Sequence, residues 1–286
     1  MCSISQVSGL PRAHHYAGRM RTYLDDILSA HRRQASLDHR EIEELSRQAS
    51  SAPAPRDFVG VLRSPGLSVI AEIKRRSPSK GLLADGLDPT SVARSYESGG
   101  AAALSVLTDG AHFGGSPEDL AVAKAAVPLP ILRKDFTVDV RDVLDARIMG
   151  ADAVLLIVAA LDDRELKTFA HTAASVGLTA LFEVHDEEEL ERALELDAIV
   201  IGVNQRDLKT FNVDTERAER MGALIPSDCV AIAESGVRDG HDAQRLASAG
   251  YDAVLVGESL VTSGDPAAAV SAMAGHEVTP RGGHDE

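Results

Sequence analysis

The feature that narrows the fold most is an alternation between two kinds of segment. From residue 67 onward, eight short apolar runs (67–74, 101–107, 130–134, 152–158, 178–183, 198–203, 229–233 and 252–257) alternate with stretches rich in Ala, Leu, Glu and Arg. Their starts lie 20 to 34 residues apart, room for a strand, a loop and a returning helix. Most runs are continuously apolar, as expected for parallel strands buried on both faces. Residues 162–175 and 186–196 read as two of the crossover helices. At Gly99-Gly100-Ala101, Gly150-Ala151-Asp152 and Gly250-Tyr251-Asp252, a glycine suited to ending a helix precedes a run. The expected fold is α/β, a (β/α)8 TIM barrel over residues 67–274, for which roughly 250 residues is typical once extensions are counted. A doubly wound open sheet would carry a glycine-rich phosphate turn after its first strand. Neither G-x-G-x-x-G nor a Walker A sequence occurs.

Residues 1–66 are expected to form an N-terminal helical extension packed on the barrel. Residues 20–34 and 36–49 have helical periodicity, and Ala52-Pro53-Ala54-Pro55 marks a break before residues 58–62. Tyr23, Leu24, Ile27 and Leu28 give the first helix one sticky face, expected to cover the barrel mouth. Residues 275–286 combine Gly, His and charge without periodicity, so a disordered tail is expected there.

Composition excludes several classes of function. A formal charge of −15 is the wrong sign for a nucleic-acid binder that relies on phosphate neutralisation. Aromatics are 3% of the chain and Trp is absent, so base-stacking platforms are poorly supplied. The longest apolar run, nine residues at 153–161, is about half of what a membrane-spanning helix requires. Met1 to His15 contain no apolar h-region, so a cytoplasmic protein is expected. Cys2 and Cys229 are expected to be spare or buried thiols rather than a disulfide. No protein partner is legible.

In a barrel of this kind the active site lies at the C-terminal ends of the strands, so the polar endings of the runs carry the functional reading. The first ends Glu72-Ile73-Lys74-Arg75-Arg76-Ser77, and with a period of two Glu72 and Lys74 point to the same side. A structural ion pair and a reactive pair both fit. The third ends Arg133-Lys134-Asp135-Phe136, the fifth Glu183-Val184-His185, and the sixth Asn204-Gln205-Arg206-Asp207. Two lysines, a glutamate, an asparagine and an arginine around one mouth form an anion pocket with acid and base capacity. The last two runs end in Glu234-Ser235-Gly236 and Gly257-Glu258-Ser259. Small residues there suit the phosphate site that this fold builds from backbone N–H groups, although Ser235 and Gly236 could also merely cap the next helix. Glu258 would repel a phosphate, so its side chain is expected to point away.

The string Ile70-Ala71-Glu72-Ile73-Lys74-Arg75-Arg76-Ser77-Pro78-Ser79-Lys80-Gly81 resembles the signature of the indole-3-glycerol-phosphate synthase family. The likeness continues through Leu104 to Asp109, Phe113 to Ser116, Leu132 to Phe136, Phe182 to His185, Ile201 to Leu208 and Ala233 to Val237. It implies a carboxy-lyase of tryptophan biosynthesis that converts 1-(2-carboxyphenylamino)-1-deoxyribulose 5-phosphate to indole-3-glycerol phosphate, CO2 and water. By that resemblance Lys134 is the general acid, Glu183 its partner acid or base, and Lys74 the group that binds the departing carboxylate, with Glu72 and Asn204 fixing the charged groups. It likewise implies that Phe113 and Phe136 flank the aromatic ring, that Arg206 lies at the anthranilate end, and that Ser77, Ser235, Gly236, Gly257 and the N–H of Glu258 hold the phosphate.

No metal or cofactor is expected, since the histidines show no metal-type spacing and His185 reads as a solvated loop residue. A Schiff-base aldolase would need one lysine of depressed pKa, a sugar-phosphate isomerase would have no use for two rim lysines and an arginine, and a regulator would not need Lys134 or Glu183. Lys74 has Glu72 beside it and Lys134 shows no such neighbour, so Lys134 is expected to be the more acidic ammonium.

Overall fold

The computed structural model describes residues 22–78, 80–207 and 212–282; Cys2, His14, His15, Ser79, Leu208 and residues 283–286 lie outside that set. The eight runs form strands Ser68–Ile73, Ala103–Leu107, Ile131–Lys134, Ala153–Ile157, Thr179–Val184, Val200–Asn204, Val230–Glu234 and Ala253–Val256. Every neighbouring pair is parallel and the first strand pairs with the last, which closes the barrel. A two-stranded ribbon, Arg76–Ser77 with Gly81–Leu82, stands above the first strand.

Alternation decides what each strand sends inward. Ile70, Ala103, Leu132, Ala153, Leu155, Leu181, Val200, Val230, Ile232, Ala253 and Leu255 meet inside the barrel, while Val69, Ala71, Leu104, Val106, Val154, Ile201, Ala231 and Val254 face the surrounding helices. The helices following the strands start at capping side chains that accept backbone N–H bonds: Asp88, Ser116, Asp139, Asp162, Asp186, Asp214, Asp239 and Asp265. Part of the acidic excess is therefore spent on helix starts. Gly100, Gly150 and Gly250 take φ of 91°, 94° and 88°, left-handed backbone that turns each chain from helix to strand.

The N-terminal extension divides its contacts between the two ends of the barrel. Helix α1 (Tyr23–Ser36) is started by a Thr22/Asp25 capping box and lies at the mouth, with Arg32 donating to Glu165 and to the Ala160 carbonyl. Of its four expected sticky residues only Ile27 is buried, and Tyr23 is exposed but set edge-on to His112. Helix α2 (Ile42–Ser51) packs Leu45 and Ala49 on Leu144 of the barrel helix Val140–Ile148. Helix α3 (Phe58–Leu62) buries Phe58 and Leu62 among the interior residues of the strand starts, stopping the opposite end. No helix among the described residues is long and apolar enough to cross a membrane.

The expected disordered tail, residues 275–286, is ordered as far as it is described. Gly275 N–H donates to the Leu67 carbonyl, Leu67 N–H to His276, and Thr279 N–H to Ala247. The Arg281 guanidinium reaches the carbonyls of Gly250 and Cys229 and the Asp252 carboxylate. Backbone pairing and the Arg281 side chain hold this segment, which has no apolar periodicity.

Candidate active site

The parity that builds the apolar interior changes its chemistry at the top layer. Continuing inward past Ile70, Leu132, Leu181, Val200 and Ile232 brings Glu72, Lys134, Glu183, Asn204 and Glu234 into one cavity of about 720 Å³. All thirteen residues singled out from the sequence line it: Glu72, Lys74, Ser77, Phe113, Lys134, Phe136, Glu183, Asn204, Arg206, Ser235, Gly236, Gly257 and Glu258. Lys74 Nζ lies 2.6 Å from Glu72 Oε1. Lys134 Nζ lies 2.9 Å from Glu183 Oε2 and 3.6 Å from Glu234 Oε2. The Asn204 amide is hydrogen-bonded to Glu183, and its Oδ1 accepts the Arg206 N–H at 3.0 Å.

Glu234 lines the cavity as well, a site residue not among those expected from the sequence. The same alternation that singles out Glu72 also marks it, two residues beyond the inward Ile232. Two glycines make room for these glutamates: a Cβ on Gly202 would fall on Oε1 of Glu234, and one on Gly257 would fall on Oε1 of Glu72.

The expectation that Lys134 has no carboxylate beside it is overturned, since Glu183 and Glu234 both flank its ammonium. Burial alone would lower its pKa, but the Glu183, Glu234 and Glu72 carboxylates, converging from three strands, more than reverse this and raise it. Its neighbours share the cost unequally. Burial pushes Glu183 up, yet Lys134, His185 and Asn204 together hold it well below the usual carboxylate range. Glu234 is pushed up to about 8, first by burial and then by Glu183 and Glu72, against the pull of Lys134. The Glu183–Glu234 pair thus shares one proton at neutral pH, as adjacent buried carboxylates do.

His185 is not a solvated loop residue. Its side chain is 11% exposed, Nδ1 lies 3.0 Å from Glu189 Oε2, and Nε2 lies 3.6 Å from Glu183 Oε1. The carboxylates of Glu189 and Glu183 outweigh the effect of burial and raise its pKa.

The far side of the cavity is built from backbone. Ser235 and Gly236 take φ of 65° and 77°, and Gln205 Nε2 donates to the Ser235 carbonyl at 2.7 Å. A Cβ on Gly236 would lie 2.7 Å from Val213 Cγ1, so the surrounding fold also excludes a side chain there. Gly257 stands at the start of the short helix Glu258–Val261. The Glu258 carboxylate turns to Lys80 Nζ at 3.1 Å, across the mouth from the ribbon. Phe113 and Phe136 form an aromatic wall, with ring centroids 6.1 Å apart at an interplanar angle of 39°.

Residues 24–273 match the family model for indole-3-glycerol phosphate synthase. The chain belongs to the indole-3-glycerol phosphate synthase family. It is 52% identical over 232 residues to "Indole-3-glycerol phosphate synthase 2" of Streptomyces coelicolor, covering 81% of this chain and 90% of that one. It is 50% identical over 254 residues to the indole-3-glycerol phosphate synthase of Mycolicibacterium vanbaalenii, covering 87% and 93%. The structure of 3-hexulose-6-phosphate synthase from Salmonella typhimurium superposes with a TM-score of 0.60 at 13% identity, covering 72% of this chain and 96% of that one, which shows the shared barrel alone. Membership of the indole-3-glycerol phosphate synthase family makes the chain a carboxy-lyase of tryptophan biosynthesis.

Proposed function

We propose that this cavity carries out the synthase reaction on 1-(2-carboxyphenylamino)-1-deoxyribulose 5-phosphate with Lys134, Glu183 and Lys74 as its reacting groups. The observation that carries the assignment is the convergence of two half-buried lysines, Lys74 and Lys134, with the buried Glu72, Glu183 and Glu234 side chains at one barrel mouth, beside an aromatic wall. Phosphate would rest on the N–H groups around Ser235, Gly236, Gly257 and Glu258 with the Ser77 hydroxyl. The aryl ring would lie against Phe113 and Phe136, with Arg206 at the anthranilate end and the carboxylate on Lys74. Glu72 and Asn204 keep the charged groups of Lys74 and Glu183 in place.

In the first step the ring carbon bearing the carboxylate attacks the ribulose carbonyl carbon, and the carbonyl π pair moves to oxygen, which takes a proton from Lys134. The raised pKa of Lys134 does not prevent this, because an alkoxide is a stronger base than any lysine amine. Ring closure leaves a cationic nitrogen, stabilised by the Glu183 carboxylate. Departure of CO2 returns the pair of the broken C–C bond to the ring and discharges that cation. Glu183 then removes a proton from the carbon beside nitrogen while Lys74 protonates the departing hydroxyl, so water leaves. One solvent proton is consumed over the cycle, matching the carboxylate charge lost as neutral CO2.

Incubation with this substrate tests the reading by indole absorbance and fluorescence, with a low background because the chain contains no Trp. Absence of indole product at saturating substrate would overturn it. A Schiff-base mechanism needs a neutral lysine, which the carboxylates around Lys134 oppose. Borohydride in the presence of substrate is therefore expected to trap no adduct.

A further inference from the structure

A half-buried cluster of metal-type ligands lies outside the reacting layer, where α1 meets the loop after the second strand. His31 Nε2 lies 3.0 Å and His112 Nδ1 3.1 Å from the same oxygen, Asp109 Oδ2. The three ligand atoms are all within 4.8 Å of one another. We propose that His31, Asp109 and His112 form a binding site for a first-row divalent metal ion of the zinc class, clamping the N-terminal helix to the loop that carries Phe113.

The ligand chemistry selects the ion. Two imidazoles and one carboxylate suit Zn2+, Co2+ or Ni2+ rather than Ca2+ or Mg2+, which take oxygen ligands. The side chains of His31 and His112 are 22% and 23% exposed, so water has access to the remaining coordination positions. Tetrahedral bonds of roughly 2.0–2.2 Å would place the ligand atoms about 3.3–3.6 Å apart, a few tenths of an ångström wider than the 3.0 and 3.1 Å that separate the histidine nitrogens from Asp109 Oδ2.

The support around the ligands is already in place. Asp109 Oδ1 accepts the backbone N–H groups of His112 and Phe113 at 2.6 and 3.2 Å, which orients the carboxylate and leaves Oδ2 toward the imidazoles. The His112 ring is set edge-on to Tyr23 at 5.9 Å, and the His31 ring lies 5.3 Å from Phe136. Asp109 is thus held between two imidazoles and two backbone N–H groups, its side chain 4% exposed. Asp135 and Asp142 add negative field at His31, while Arg76 acts on Tyr23. Histidine spacing in the sequence does not disclose the site, because His31 stands 78 residues from Asp109 and only the fold unites them.

The test is titration of the full chain with Co2+, followed by visible absorption and calorimetry, against the variant carrying both His31→Ala and His112→Ala. The unaltered protein should bind one equivalent more than the double variant, and that equivalent should produce the intense visible bands of low-coordinate Co2+. Asp109→Asn, which keeps a capping side chain, should weaken that equivalent at least tenfold. A second readout needs no variant: added Zn2+ should protect His31 and His112 from diethyl pyrocarbonate, mapped by mass spectrometry. Equal stoichiometry and affinity in parent and double variant, or full modification of both histidines at saturating Zn2+, would overturn the site.

Discussion

Gly202 on the sixth strand leaves open the space that the Glu234 carboxylate of the seventh strand occupies. The carboxylate that shares a proton with Glu183 is thereby placed by a missing side chain on a neighbouring strand. Gly202→Ala would force Glu234 out of position or shift the strand, at a cost of about 1–3 kcal/mol for overpacking. The expected outcome is a lower urea midpoint together with a fall in kcat of at least tenfold. A variant with unchanged kcat would show that the position of Glu234 does not matter to the reaction.

The raised pKa of Glu234 has a definite sign in stability. A carboxyl held at about 8 in the folded chain, against 4.5 as its ordinary value, stays protonated when folded and ionises when unfolded. Its contribution is full below about pH 4.5 and is lost as pH rises through about 8. Glu183, held low, stays ionised throughout that window. Glu234→Gln should therefore gain stability relative to the parent as pH rises from 5 to 8, on the order of 1 kcal/mol per pH unit. Urea denaturation across that range measures it, and a pH-independent difference would contradict the assignment.

These two relationships also mark how far the sequence could be read. The period of two, followed from Ile70 to Glu72 and Lys74, places the inward layer correctly because alternation is a local property of a strand. Glu234 obeys the same rule, but the small residues that follow it carry the stronger local signal, that of a phosphate loop. The surroundings of Lys134 were not legible, since Glu72, Glu183 and Glu234 reach it from three other strands and no local pattern encodes adjacency across a barrel. The same limit explains the anchored residues 275–282, held by Arg281 and by carbonyls of distant segments, whereas the contact of His185 with Glu189, four residues onward, is local and lay within reach of the sequence.

Lys134 and Lys74 should separate kinetically. Lys134→Met removes the proton donor and is expected to lower kcat by about 10²–10⁴ with KM changed little. Lys74→Met should also raise KM, because the substrate carboxylate loses its cation. Both leave buried carboxylates without a partner, so stability must be measured alongside. A near-normal kcat for Lys134→Met would make Lys134 a structural charge and end the proposed first step.

The phosphate end predicts an unusual gain of binding. Inorganic phosphate should compete with substrate at fixed ionic strength, since backbone donors around Gly236 and Gly257 recognise the anion itself. Glu258 brings a carboxylate to that end, paired with Lys80 at 3.1 Å. Glu258→Gln removes the like charge and frees Lys80 for the anion. The inhibition constant for phosphate should fall severalfold, and an unchanged or higher constant would show that Glu258 faces away from the bound anion.

Removal of residues 1–40 isolates the part played by α1. Contacts that tie that helix to the mouth include His31 against Asp109 and Phe136, Tyr23 against His112, and Arg32 against Glu165 and the Ala160 carbonyl. Helix α3, which stops the opposite end with Phe58 and Leu62, is retained, so the barrel should still fold. Phe136 would lose the ring that packs on its outer side, and with it the constraint on the aromatic wall. The expected result is a KM raised several-fold or more, a smaller change in kcat, and an unchanged far-UV signature of the barrel. Single variants refine the prediction: His31→Ala should reproduce part of the KM effect, whereas Arg32→Ala, an exposed ion pair worth about 0–1 kcal/mol, should not. A truncated protein with the KM of the full chain would mean that α1 covers the mouth without taking part in binding.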